Sequence, residues 1–188
     1  MILPPRTPIG IDGPYGEFTL SAHQGDAILL LAGGVGIAPM MGLLRDLVAR
    51  HDPRPVRLAY AAGRPANFAC LPEIMAAQEG LDLQIMLISE EDAEGWNGLT
   101  GWLTHDRLRA LLQGLDTQQT VALICGPGPM VTAISDALLD LGLPSDKVIY
   151  ERFDYTGGAS QQDRRRAAGF VGIGAGLAGL VSAFALVK

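Results

Sequence analysis

The chain has 188 residues, is 48% hydrophobic, carries 24 glycines and has a formal net charge of −6. That length suits one domain of ordinary size plus an appendage, and the composition is too apolar for a disordered chain. The acidic balance argues against a nucleic-acid partner, which selects a basic surface. Two distant cysteines (Cys70, Cys125) and three scattered histidines (His23, His51, His105) give neither a disulfide framework nor the spacing of a metal site.

Residues 1–12 form a lead-in held extended by Pro4, Pro5 and Pro8, proline-broken and too short for a signal peptide. Ile9, Ile11, Phe18 and Leu20 alternate around Gly13–Gly16, which predicts two strand ends joined by a turn. Gln24-Gly25-Asp26 then turns the chain into its central run, ILLLAGGVGIAP over 28–39. This reads as buried strand, glycine loop (Gly33, Gly34, Val35, Gly36) and helix start, with Ala38 and Pro39 in the first turn, where a missing N–H costs nothing. Glycines let a ligand approach the backbone, and the positive end of the helix favours an anionic guest such as phosphate. The spacing is neither G-x-G-x-x-G nor a P-loop.

Met40, Leu43, Leu44, Leu47 and Val48 make one apolar stripe on the first helix, with Arg45 and Arg50 off it and solvated. Val56–Ala61 is a second strand, ended by Gly63-Arg64-Pro65. Residues 66–79 predict a short second helix with Cys70 as a small core hydrophobe. Leu81–Ser89 is a third strand. The acidic run Glu90–Glu94 reads as a solvated face or as a dock for a basic partner. Thr104 is a good N-cap for a helix from His105, with Leu108, Leu111 and Leu112 apolar and His105 at the surface. Gln119–Ile124 is a fourth strand, running into Cys125-Gly126-Pro127-Gly128-Pro129-Met130 and a helix carrying Ile134, Ala137, Leu138 and Leu141. Val148–Phe153 is a fifth.

Strands alternating with helices predict a five-stranded parallel sheet with helices on both faces, an α/β domain. Ligands of such sheets sit at the carboxyl ends of the strands. The loops 33–39, 63–64 and 125–130 all fall there, so they converge on one edge.

The order GPYG (13–16), GGVGIAP (33–39), CGPGPM (125–130) and Glu151-Arg152-Phe153 resembles the ferredoxin–NADP reductase superfamily, which includes cytochrome b5 reductases and ferric-reductase-like proteins. The resemblance covers about residues 8–154. It implies NADH or NADPH as cofactor, with the pyrophosphate on the glycine loop. Cys125, Gly126, Pro127, Gly128 and Met130, with Glu151, would frame the nicotinamide, Cys125 and Glu151 standing nearest the chemistry. Cys125 is otherwise a buried structural thiol. Tyr15 would lie near the flavin, or is packing in a plain hairpin. Arg64 would clamp a 2′-phosphate, or is a surface or pyrophosphate-side arginine. Phe153 is equally a packing residue. In the family a flavin-binding β-barrel precedes GPYG; here only residues 1–12 do. FAD would therefore come from a partner chain or an upstream portion.

After Phe153 come a polar and basic linker (156–166, with Arg164-Arg165-Arg166) and 21 uncharged residues, 167–187. At about 1.5 Å per residue these just span a hydrocarbon core of about 30 Å, which predicts a single C-terminal transmembrane helix with the soluble domain cytoplasmic. Gly172 and Gly176 form a G-x-x-x-G face suited to a transmembrane helix partner. The expected organisation is a flavin-domain remnant and linker over 1–26, an NAD(P)H-binding domain over 27–155, the linker, and the anchor. The expected function is transfer of hydride from the nicotinamide to flavin, and of electrons onward to a flavin- or haem-bearing protein or another membrane acceptor. The alternative is a non-catalytic subunit of a membrane complex that keeps a reductase-like fold.

Overall fold

Seven consecutive buried residues, Ala27–Gly33 (β1), run through the middle of the sheet because the strand has a neighbour on either side and helices above and below. The computed structural model describes residues 8, 10 and 18–153. Tyr15, the linker, the apolar run 167–187 and Gly172/Gly176 lie outside the described residues. Among the described residues no helix is long and apolar enough to cross a membrane.

The elements follow in the order β1, α1 (Ile37–Arg50), β2 (Val56–Ala62), α2 (Leu71–Ala76), β3 (Leu83–Ser89), β4 (Leu99–Thr100), α3 (His105–Leu111), β5 (Thr120–Pro127), α4 (Gly128–Asp140) and β6 (Val148–Phe153). The sheet is parallel with strand order β4-β3-β2-β1-β5-β6. It has six strands, where five were expected. The extra one is only two residues long, Leu99–Thr100 beside Ile88–Ser89, too short to show any alternation.

The pleat divides β1 between two cores. Ile28, Leu30 and Ala32 join Met40, Leu44, Leu47 and Ile74 on the α1/α2 face. Leu29 and Leu31 join Ala122, Ile124, Leu108, Leu111, Ile134 and Leu138 on the α3/α4 face. The stripes read from the sequence for α1, α3 and α4 are the ones that pack.

The second helix needs correction. The continuous helix expected over 66–79 is a 3-10 turn (Pro65–Asn67), then α2, then a second 3-10 turn (Ala77–Glu79). Cys70 takes a left-handed φ of 60°, and Pro72 lies in the first turn of α2, so the helix starts afresh at Leu71. Cys70 is exposed and not a core residue. Its neighbour Phe68 does the packing instead, edge-on to Tyr60 at 4.8 Å and stacked on Trp96 at 5.1 Å.

Polar ties fix the connections. Arg45, off the apolar stripe as expected, makes a two-pronged ion pair with Glu73 across α1 and α2. At the turn into β2, hydrogen bonds from Arg54 hold the Asp52 carboxyl below the usual carboxylate range. That contribution to stability is present above about pH 4 and is lost as the pH falls through the lowered folded value. Thr104 caps α3 as its sequence predicts, its Oγ1 accepting the Arg107 N–H at 3.3 Å. Thr104→Ala is expected to cost about 1 kcal/mol, read as a lowered urea midpoint with an unchanged slope.

Candidate functional site: a two-lobed trough at the carboxyl edge

The carboxyl ends of β1, β2 and β5 come together at Gly33, Ala62 and Pro127, and a trough opens above them. Its smaller lobe, about 160 Å³, is lined by Gly33, Gly34, Val35, Pro127, Met130 and Phe153 among others. Its larger lobe, about 530 Å³, lies over the end of β2 and includes Tyr60, Arg64, Asn67 and Glu91. Gly34 and Val35 on one side and Ala62 and Gly63 on the other line both lobes, so these four form the saddle between them.

The saddle is built for close approach. Gly34 has φ +55°, a conformation other residues rarely adopt, and a Cβ there would meet nothing within 4 Å. A single 3-10 turn, Gly34–Gly36, leads straight into α1. No side chain caps α1 and no acid sits in its first turn. The Ile37 N–H is taken by the Gly34 and Val35 carbonyls and Pro39 has none, so what α1 turns toward an anion at the saddle is chiefly the positive end of its dipole.

The other glycines serve the protein rather than the guest. A Cβ at Gly36 would run into the Cys125 carbonyl, and one at Gly33 would overlap the Met130 thioether. A Cβ at Gly126 would sit 3.0 Å from Met130 Sδ and 3.3 Å from Gly33 Cα. The β1 and β5 loops thus interlock because three side chains are missing.

At the far end of the larger lobe Arg64 does not stand free. Its Nε donates to Glu91 Oε2 at 2.8 Å, both side chains largely exposed. Glu91 is fixed by its backbone: its N–H reaches Gly63 O at 3.1 Å, and its carbonyl accepts from Ser89 Oγ at 2.6 Å. Glu90 N–H bonds Ala62 O at 2.9 Å. The start of the acidic run, Glu90 and Glu91, is therefore trough wall, and Glu91 to Glu94 are solvent-exposed, as a solvated face would be. Tyr60 is almost fully buried; its hydroxyl accepts the Ala69 N–H at 3.1 Å and helps hold the loop that carries Arg64.

Cys125 is fully buried, packed on the α1 side, and lines neither lobe. Burial, then the nearby charge of Glu151, pushes its thiol up to about 11. At neutral pH it is a protonated thiol and no nucleophile. Glu151 is level with Cys125 in the sheet register, on the exposed edge strand. Ala38, Pro39 and Gly128 stand in the first turns of α1 and α4 and line neither lobe. A thiol reagent at neutral pH is expected to label one cysteine of the native protein quickly, the exposed Cys70. The second should react only on unfolding; two fast thiols would contradict the burial of Cys125.

Sequence reasoning missed Glu90, Glu91, Tyr60 and Asn67 as site residues. The signal for the two glutamates was available, since they directly follow the carboxyl end of a predicted strand. Tyr60 and Asn67 carried none.

The chain belongs to the oxidoreductase NAD-binding domain family, whose model matches residues 30–136. The family model and the structural neighbours that the chain matches are of the ferredoxin–NADP reductase and cytochrome b5 reductase superfamily. It is 32% identical over 150 residues to the reductase component of propane 2-monooxygenase from Mycolicibacterium smegmatis, covering 77% of this chain and 42% of that one. It is 33% identical to NADH-cytochrome b5 reductase 1 from Lodderomyces elongisporus, covering 75% and 48%. The crystal structure of the cytochrome P450 reductase GcoB from Amycolatopsis superposes with a TM-score of 0.64 at 24% identity, over 75% of this chain and 42% of that one. The chain therefore spans less than half the length of these relatives.

Proposed function

We propose that the chain is the nicotinamide-nucleotide-binding part of an electron-transfer reductase, feeding a flavin and, through it, an oxygenase, haem or other redox partner. One observation carries the reading: two unequal lobes joined at a saddle that presents Gly34 and an uncapped helix N-terminus. A dinucleotide has that shape, two nucleoside halves joined by a pyrophosphate. In this reading the pyrophosphate lies on Gly34–Val35, the adenosine ribose faces Arg64 and Glu91, and the nicotinamide enters the smaller lobe beside Pro127, Met130 and Phe153. A reduced nicotinamide supplies a hydride, and the flavin accepts it. The chain's own residues hold and orient the nucleotide. The relatives are reductase components and b5 reductases, which supports FAD as the acceptor.

The carboxylate at the ribose end further supports NADH over NADPH. Membrane anchoring is part of the proposal too. Its support is the uncharged run 167–187 behind three arginines, with Gly172/Gly176 as the face for a helix partner.

The test is a visible spectrum of the protein purified from membranes in mild detergent, before and after NADH and then NADPH. Flavin bands that bleach on adding nucleotide establish the reductase. Absence of both flavin and nucleotide binding would overturn it and leave the alternative, a non-catalytic subunit with a reductase-like fold. Recovery of the protein wholly in the soluble fraction would refute the anchor.

A further inference from the structure

The loop that leaves β3 comes back to the loop that leaves β2. Trp96 stacks on Phe68, ring centres 5.1 Å apart and planes 10° apart, and Phe68 meets Tyr60 edge-on at 4.8 Å. A row of three rings thus runs from buried Tyr60 out to the loop 90–98. The indole is held on its other sides too. Its Nε1–H donates to Leu99 O at 3.1 Å, and its backbone N–H bonds Ala93 O at 3.0 Å. A Cβ at Gly98 would overlap the indole at Cζ2 and lie 2.7 Å from Cε2, so the missing side chain at 98 makes the seat of the ring. Among residues 64–70, which wall the larger lobe, Phe68 alone is buried. Asn67 and Ala69 on either side of it line that lobe, while Phe68 and Trp96 line neither lobe.

We propose that Trp96 is a positioning residue for the adenosine half of the dinucleotide: it touches no ligand, but covers Phe68 from outside and so keeps the 64–70 wall in its binding shape. The proposal rests on the dinucleotide reading above. Little else holds this wall. It contains one 3-10 turn, Pro65–Asn67, and beyond that the Ala69 N–H bonds the Tyr60 hydroxyl. The Arg64–Glu91 ion pair is exposed and holds weakly. Stacked and edge-on ring pairs contribute beyond the area they bury, and they prefer a definite geometry. With the indole gone, the outer face of Phe68 opens to water and the loop gains freedom. A ligand must then order a wall that the parent holds ready, and affinity falls although no contact with the ligand has been removed.

The experiment combines two measurements on the full chain: amide hydrogen exchange without ligand, and calorimetric titration with ADP-ribose, which carries the adenosine half and no nicotinamide. In Trp96→Ala the amides of Phe68 and Ala69, bonded to Pro65 O and the Tyr60 hydroxyl, should exchange about tenfold faster or more, while those of β5 keep the parent's rate. ADP-ribose binding should weaken by about fivefold. Trp96→Phe keeps a flat ring on Phe68 and should bring both readings to within about twofold of the parent. Gly98→Ala leaves the tryptophan in place but takes its seat away, and should resemble Trp96→Ala. It also secures the test should Trp96→Ala unfold. Unchanged ADP-ribose affinity, exchange that quickens in β5 as much as at Phe68 and Ala69, or a Trp96→Phe protein no better than Trp96→Ala would each overturn the proposal. If the parent binds ADP-ribose and any of these is found, the dinucleotide site stands and only the role of Trp96 is removed. A parent that does not bind ADP-ribose removes both.

Discussion

Gly36→Ala is expected to destabilise the fold by about 3 kcal/mol or more, at the severe end of what overpacking does. A Cβ there would overlap the carbonyl oxygen of Cys125 and come within 2.5 Å of its carbonyl carbon and 3.1 Å of Gly126 N. These are backbone atoms of β5, hydrogen-bonded on both sides, to β1 and β6. They cannot retreat without breaking the ladder that carries the site. The thermal midpoint should fall by roughly 6–12 °C for a chain of this size. Gly42→Ala is the control. Gly42 lies inside α1 with nothing within 4 Å of a new Cβ, so alanine there should raise stability by about 0.5–1 kcal/mol. A Gly36→Ala protein that melts within two degrees or so of the parent would refute the interlock.

The second large effect concerns nucleotide choice. In the proposed reading the adenosine ribose faces the Glu91–Arg64 pair, where a carboxylate would accept hydrogen bonds from ribose hydroxyls and repel a 2′-phosphate. Exposed ion pairs hold weakly, so the pair is easily undone. Glu91→Gln removes the negative charge and frees the guanidinium, which suits a phosphate. The ratio of NADPH to NADH affinity is expected to rise by about tenfold or more, since freeing a charged partner for a charged ligand is worth on the order of 1.5–3 kcal/mol. Adding Arg64→Ala to Glu91→Gln should return the ratio toward the parent's. Direct titration with both nucleotides checks it; a ratio that moves less than twofold would show that Glu91 does not select.

Much of this was legible in the sequence because the signals were local. The apolar run 28–31 is buried on both faces, the helical stripes pack where their spacing puts them, and the alternation of strands and helices brings three loops to one edge. Thr104 caps its helix. What escaped depends on contacts between distant positions. The glycine loop reads as room made for a phosphate, yet only Gly34 faces open space. Gly33 and Gly36 are small because of Met130 and Cys125, and no local pattern records that. Arg64 reads as a clamp for a 2′-phosphate or as a surface or pyrophosphate-side arginine, and its pairing with Glu91, just past the end of β3, has no local signal. Cys70 looked like a core residue, but the aromatic contacts of Phe68 with Tyr60 and Trp96 took the interior place and turned Cys70 outward. The strand at 99–100 exists only because β3 offers it an edge.

The last described residue of the sheet, Phe153, is part of the wall of the smaller lobe. The described part of the chain therefore ends at the wall of this lobe. In the proposed reading, a group tethered at that point would meet a bound nucleotide as an intramolecular neighbour. Short flexible tethers give local concentrations on the order of millimolar. In that reading, a redox partner held on such a tether would need little contact affinity of its own and could dissociate quickly between turnovers.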